Sequence, residues 1–231
     1  SFGKAVAAAA EKYLGQKTSI EIVGNELHPI GKVKDFTPYA RKILASGADA
    51  IITGNWGADM VNLGKSLKES GFDKPVYCYY CAAVGTTGAF GAAGEGMLHL
   101  VGEGLHNPSP SAAFTEYHKG FKAKYPKWDL TQPRIINATQ MLSMAIEKAG
   151  SATDMVAVAS ALEGMEFDSK ILNTKVIMRA KDHQAIQNVH VGIHTDDVGI
   201  DYDNSGYGMK IFKTVEMASM DSATTCKMKR P

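Results

Sequence analysis

Short β-branched runs alternate with amphipathic helical stretches through the first hundred residues of this chain, and that alternation constrains the fold more than any other feature. Phe2–Gly15 is Ala-rich and reads as a helix with Gly15 just past its end. Thr18–Val23 alternates polar and apolar residues like a strand. Asp35-Phe36-Thr37-Pro38 reads as a helix start, with Thr37 capping the first free amides and Pro38 at the first helical position. That helix places Tyr39, Ile43 and Leu44 on one side and stops at Gly47. Ala48–Gly54 follows as a buried strand. Ala58–Ser70 is a helix, with Met60, Leu63 and Leu67 on one face and Gly71 closing it. Pro75–Tyr80 and Gly96–Val101 are further strands. Strands and helices in turn, joined by short loops, predict an α/β fold whose parallel sheet is covered on both faces.

The texture changes after Leu105. His106–Ser111 is a Pro/Ser-rich segment that also opens a helix carrying Phe114, Tyr117 and Phe121. Two more helices are predicted near Ala138–Ala149 and Thr153–Gly164. Thr174–Met178 and Gln187–His194 read as paired strands across the turn Lys181-Asp182-His183-Gln184. Asp196–Gly208, rich in Asp, Asn and Gly, reads as a second crossing. The 231 residues suffice for one large domain or for two lobes of about 100 residues each. The expected division gives 1–110 plus 205–231 to one lobe and 112–197 to the other, with 105–111 and 197–208 crossing between them. An α/β lobe ordinarily begins on a strand, whereas this chain begins on a helix. The expectation is that residues preceding Ser1 belong to the natural protein and complete the sheet.

Several functions are excluded by charge and spacing. Formal net charge is +1, with no Lys/Arg stripe interleaved with aromatics, so no nucleic-acid partner is expected. Gly64-Lys65-Ser66 resembles the end of a phosphate loop, but the required preceding glycine is Asp59 and the tripeptide lies inside a helix. Cys78-Tyr79-Tyr80-Cys81 has redox spacing. On a continued strand its cysteine Cα atoms would stand about 10 Å apart, beyond disulfide reach, so two buried or half-buried thiols are favoured over a redox pair, the alternative being a local bend after Tyr80 that relaxes this distance. His190 and His194 on a strand would stand about 13 Å apart and share no ion. Asp182-His183 lacks a nucleophile, and Gly85–Gly96 lacks a dinucleotide fingerprint. No catalytic residue, metal or cofactor is expected.

The remaining signal is polar and aromatic. Asn55-Trp56-Gly57 follows the strand Ala48–Gly54, and Tyr79-Tyr80 closes the next strand. In open α/β sheets, ligands bind beyond the carboxyl ends of the strands. Trp and Tyr there offer flat apolar faces with N–H and O–H donors. Asn55, Trp56 and Tyr80 are therefore the expected ligand-binding residues, the alternative for Trp56 and Tyr80 being packing against a neighbouring lobe.

Residues Asp35-Phe36-Thr37-Pro38-Tyr39, Lys42-Ile43 and Ser46 through Asp59 closely resemble the second lobe of branched-chain amino acid (Leu/Ile/Val) type periplasmic solute-binding proteins. Met178–Gln184 is similar to their C-terminal hairpin, and Cys226–Pro231 to the tail of many proteobacterial members. The resemblance implies the type I periplasmic binding protein fold: two Rossmann-like lobes with parallel sheets, incomplete here, closing on a small-molecule ligand. It also implies delivery to an ABC permease in the inner membrane and a periplasmic address. Trp56 matches a position where the family sets an aromatic against the ligand. Tyr80 falls where amino-acid-binding members carry a glutamate for the ligand's ammonium, an ion pair that Tyr does not make. The implied ligand is thus an amino-acid-like or aromatic carboxylate. The alternative is a ligand-sensing domain of a receptor or regulator with the same fold. Cys226 is the cysteine expected to be oxidised, with Cys78, Cys81 or a residue preceding Ser1 as its partner, and the chain by itself is expected to self-associate through uncovered edges.

Overall fold

The computed structural model describes residues 2–83, 85–102, 107–128, 130, 132–220 and 222–229. The chain divides into two units. One comprises Ser1–Pro108 with Val191–Phe212, the other Ser109–His190 with Lys213–Pro231.

The first unit opens on α1 (Phe2–Leu14) and α2 (Thr37–Ala45), then runs through β1 (Ile51–Thr53), α3 (Gly57–Glu69), β2 (Val76–Cys78), α4 (Thr86–Phe90) and β3 (Leu98–Gly102). β1, β2 and β3 are parallel and paired in register, Ile51 with Val76 and Val76 with Leu98. Alternate residues of these strands bury one face: Val76, Cys78, Leu98 and Leu100 pack with Phe36, Ala40, Met60, Leu63 and Leu67 of the helical layer. The Val, Leu, Phe and Met side chains among these each contribute about 1.5–3 kcal/mol of transfer free energy when fully buried, which is what docks α2 and α3. The start of α2 is capped by Asp35, not Thr37: its Oδ1 accepts the Thr37 amide at 2.8 Å. Hydrogen bonds from Thr37 hold the Asp35 carboxyl below its ordinary value.

Gly64 explains why a phosphate-loop tripeptide sits in a helix. A Cβ there would meet Phe90 Cε1 at 2.3 Å, so the missing side chain is where the Phe90 ring of α4 rests. By contrast α1 buries no residue, and Thr18–Val23 forms no strand. Ile20, Ile22 and Val23 stay exposed. Alternation alone does not make a strand, because its amides need a partner ladder.

In the second unit, α5 (Ala112–Lys124), α6 (Arg134–Ala149) and α7 (Met155–Leu162) precede β4 (Glu166–Ser169), β5 (Thr174–Met178) and β6 (Ala185–Gln187). Ser111 Oγ caps α5 by accepting the Phe114 amide at 2.9 Å, and Asp154 Oδ1 caps α7 from Ala157 at 2.9 Å. Met141 and Ala145 of α6 pack with Val158 and Ala161 of α7 and with Val176 of β5. The β4-β5-β6 sheet is antiparallel, pairing Phe167 with Val176 and Ile177 with Ile186.

The lobe boundaries differ from expectation. Beyond β6 the chain enters β7 (Val189–Thr195), and later β8 (Gly208–Val215); the larger sheet has the order β1-β2-β3-β7-β8. Residues expected in 187–194 as a single partner of β5 are therefore split at Asn188. Val191–Thr195 belongs with the first unit, against the expected span 112–197, and 213–231 belongs with the second, against the expected 205–231. The cause is local: Ala185–Thr195 is one β-favouring run broken by a single Asn, whose Oδ1 accepts the Met217 amide at 3.0 Å. The other boundary falls between Pro108 and Ser109. Asn107 is buried there and bonds Ile200 in both directions, Nδ2 to its carbonyl at 2.9 Å and Oδ1 from its amide at 2.8 Å. Leu105 and His106 of the expected crossing, and Arg230-Pro231 of the tail, lie outside the described residues.

Candidate functional site

All three residues picked out by sequence lie in the first unit, at the carboxyl ends of β1 and β2. Asn55 is oriented by two bonds. Its backbone N–H donates to Thr53 Oγ1 at 3.1 Å, and its side-chain Oδ1 lies 2.8 Å from His28 Nε2. The His28 ring sits edge-on to Phe36, centroids 5.0 Å apart. The segment around it is also tied to α3 by Asp59, buried in the first turn, whose Oδ2 accepts the Gly31 amide at 2.7 Å. Sequence reasoning missed His28. Twenty-seven residues separate it from Asn55, and neither spacing nor composition signals the pair.

Trp56 takes extended backbone (φ −147°, ψ 163°) as the residue before α3. It leaves 55% of its surface to solvent. A large aromatic in that position contributes little to the core. Tyr80 is half-buried and does not stack on Trp56. The rings that meet are Phe2 of α1 with Tyr79 and Tyr80, at 6.0 and 5.6 Å. Phe2 and Val6 also close on the end of β1, where a Cβ on Gly54 would stand 3.2 Å from the Phe2 ring. Phe2 thus borders both strand ends and joins the candidate site.

The most consequential correction concerns Cys78 and Cys81. They form a disulfide, with Cα atoms 5.9 Å apart. The expectation of two buried or half-buried thiols rested on extended geometry continuing to Cys81. The strand stops at Cys78, and the chain bends at Tyr79-Tyr80, which brings Cys81 back beside Cys78. Both cysteines are buried at 1% and 0% exposure. Cys226, expected to be the oxidised one, is free and exposed.

A second polar cluster lies beneath α4. Thr87 Oγ1 donates to Asp203 Oδ2 at 2.8 Å, and His194 Nε2 lies 2.8 Å from the Gly91 carbonyl while its ring stacks on Tyr207 at 5.3 Å. Burial pushes the His194 pKa down. His190, the other member of the His-x-x-x-His pair, has its Nδ1 3.0 Å from Thr214 Oγ1 instead. Among the described residues no group of His, Cys, Asp and Glu is arranged to hold a metal, and no helix is long and apolar enough to cross a membrane.

Comparison with known proteins places this geometry in context. A family model described as "Periplasmic binding protein" matches residues 1–193. The Leu/Ile/Val-binding protein homolog 4 of Brucella abortus (strain 2308) is 30% identical over 219 residues, covering 91% of this chain and 51% of the relative. The chain thus spans about half the length of the curated relatives it matches. Among solved structures, the leucine-, isoleucine-, valine-, threonine- and alanine-binding protein from Brucella ovis in its closed conformation superposes with a TM-score of 0.84. It is 24% identical, with 99% of this chain and 58% of that one covered. A solute-binding protein of an ABC transporter from Rhodopseudomonas palustris HaA2, solved with p-hydroxybenzoic acid, gives a TM-score of 0.70 at 17% identity, over 91% of this chain and 56% of that one.

Proposed function

This chain belongs to the periplasmic binding protein family and has its type I fold, and from that premise we propose that it forms part of the solute-capturing subunit of an ABC importer. In this reading the protein works in the periplasm, takes up a small carboxylate with an aromatic or apolar body, and hands it to a permease in the inner membrane. Its relatives are solute-binding proteins rather than enzymes.

The observation that carries the ligand class is the aromatic surface left open at the strand ends. Trp56 spends more than half its area on solvent, and Tyr79, Tyr80 and Phe2 cluster at the neighbouring strand end. Offset or edge-on rings contribute about 0.5–1.5 kcal/mol per contact beyond burial, which suits a flat ligand body. Asn55, held by His28, supplies an amide with a fixed direction. A phenol at position 80 gives a hydrogen bond but no ionic partner for an ammonium group. The Rhodopseudomonas palustris relative with p-hydroxybenzoic acid supports the same chemistry.

Thermal unfolding of the protein with leucine, valine, benzoate and 4-hydroxybenzoate tests this. A ligand at a hundred times its dissociation constant adds about 2.7 kcal/mol of stability. The aromatic acids are expected to raise the midpoint, and Trp56→Ala to abolish most of that rise. Stabilisation by leucine or valine alone would refute the assigned ligand class.

A further inference from the structure

We propose that the Cys78–Cys81 bond is the positioning element of the aromatic wall, so that affinity for an aromatic acid depends on the oxidation state of this pair. The inference rests on the function proposed above and adds a control to it.

Residues three apart on a continued strand lie about 10 Å apart, and here the two Cα atoms are 5.9 Å apart. Tyr79 and Tyr80 are the two residues inside the resulting ring. Whatever holds Cys81 against Cys78 therefore sets the direction in which both phenols leave the chain. The sulfur end of this ring is anchored, since Cys78 and Cys81 lie in the same buried cluster as Val76, Leu98 and Leu100. The aromatic end is not. Tyr79 is 38% exposed and Tyr80 half-buried. Their ring partner Phe2 is 47% exposed and belongs to a helix with no fully buried residue. Ring contacts of that kind follow the backbone and do not fix it. Among the described residues the one backbone bond from this pair, Tyr80 O accepting from Ala83 N at 3.1 Å, leads onward to α4 and not back to β2. Beside the packing of Cys81 and Ala82 in that cluster, the covalent bond is the constraint that returns the turn to the strand.

Opening it is a balanced exchange. A dithiol reductant attacks one sulfur, the S–S bond breaks, and a mixed disulfide forms. The reductant's second thiol then displaces the cysteine. Two electrons and two protons reach Cys78 and Cys81 as thiols, and the dithiol becomes a disulfide. Buried thiols behave as small hydrophobes, so the core beneath survives while Tyr79-Tyr80 regains extended conformations. Linkage requires the converse: an aromatic acid that prefers the closed ring makes the bond harder to reduce by the same factor.

The test uses the folded protein before and after dithiothreitol, with alkylation and mass measurement to count thiols, 4-hydroxybenzoate as the probe, and hydrogen exchange on residues 79–83. Reduction is expected to weaken 4-hydroxybenzoate binding by about tenfold or more. It should speed exchange at 79–83 by about tenfold while 51–53 and 98–100 stay unchanged. Reoxidation should restore both. The Cys78→Ala/Cys81→Ala variant should match the reduced protein; if it does not fold, chemical reduction of the native chain carries the test. Unchanged exchange at 79–83 after verified reduction overturns the proposal, as does an affinity equal within about twofold in the two forms. If no acid binds even the oxidised protein, the functional reading fails, and the exchange measurement still decides whether the bond positions the turn.

Discussion

Two tight turns in this chain are each clamped by side chains three residues apart at the end of a strand, and the clamps are opposite in kind. After β2, Cys78 and Cys81 are joined covalently. After β5, Arg179 grips Asp182 with two hydrogen bonds, Nε to Oδ1 at 2.9 Å and Nη2 to Oδ2 at 2.6 Å. The second turn also has a full backbone framework: Arg179 N donates to Gln184 O, and His183 N to Arg179 O, both at 2.9 Å. His183 sits in the left-handed region at φ 54° to complete it. A turn that continues an antiparallel hairpin recovers its hydrogen bonds from the partner strand, and an ion pair is enough to finish it. The turn after β2 has no returning strand, because β2 lies among parallel neighbours. Its chain must leave the sheet, and holding it back takes a stronger tie. Topology, not sequence spacing, decides which clamp each turn needs.

The comparison breaks most sharply at the covalent clamp. Closing a loop of this size is worth about 2 kcal/mol by loop entropy. Cys78→Ala/Cys81→Ala should lose about that much in urea unfolding, with midpoint lowered and slope unchanged. A loss below about 0.5 kcal/mol would mean the turn is held by packing alone.

Acid should single out the other clamp. The Arg179 bonds, followed by Thr224 and the Gln184 amide, hold the Asp182 carboxyl well below its ordinary value of 3.8. The unfolded chain therefore takes up the proton first. The stability that Asp182 contributes is whole above about pH 5 and drains as pH falls below 3.8 toward the depressed folded value. Between pH 5 and 3 the thermal midpoint of the native protein should fall more steeply than that of Asp182→Asn. Equal slopes would remove the ionic half of the contrast. The smallest effect is expected from salt. At about 1 M sodium chloride the screening length drops to about 3 Å, so exchange at 179–184 should rise slightly while that at 79–83 does not move.

Legibility in the sequence followed the range of the interactions. Helices α1 and α3 and the β5–β6 turn came through because their signals are local: Ala-rich runs, Met60/Leu63/Leu67 spacing, and a polar turn between β-branched runs. The strand-end position of Asn55, Trp56 and Tyr80 was legible for the same reason. What failed needed a distant partner. Thr18–Val23 has strand periodicity without a ladder, and Val189–Thr195 joins a sheet that its own pattern does not name. Two unbonded thiols were favoured because the extended geometry was carried from Cys78 to Cys81, where the chain instead bends at Tyr79-Tyr80. His28 and Phe2 reach the site through folding alone, with no periodic or motif signal at either position.

The contact between Gly64 and Phe90 has a consequence for how such chains diverge. A methyl group at position 64 would stand 2.3 Å from Phe90 Cε1, so the ring at 90 has to move to admit it. Along a lineage the two sites behave as a single heritable character. Ala or Ser should become permissible at 64 only after the ring at 90 has been replaced by something smaller, and the reverse order should pass through an intermediate that is purged.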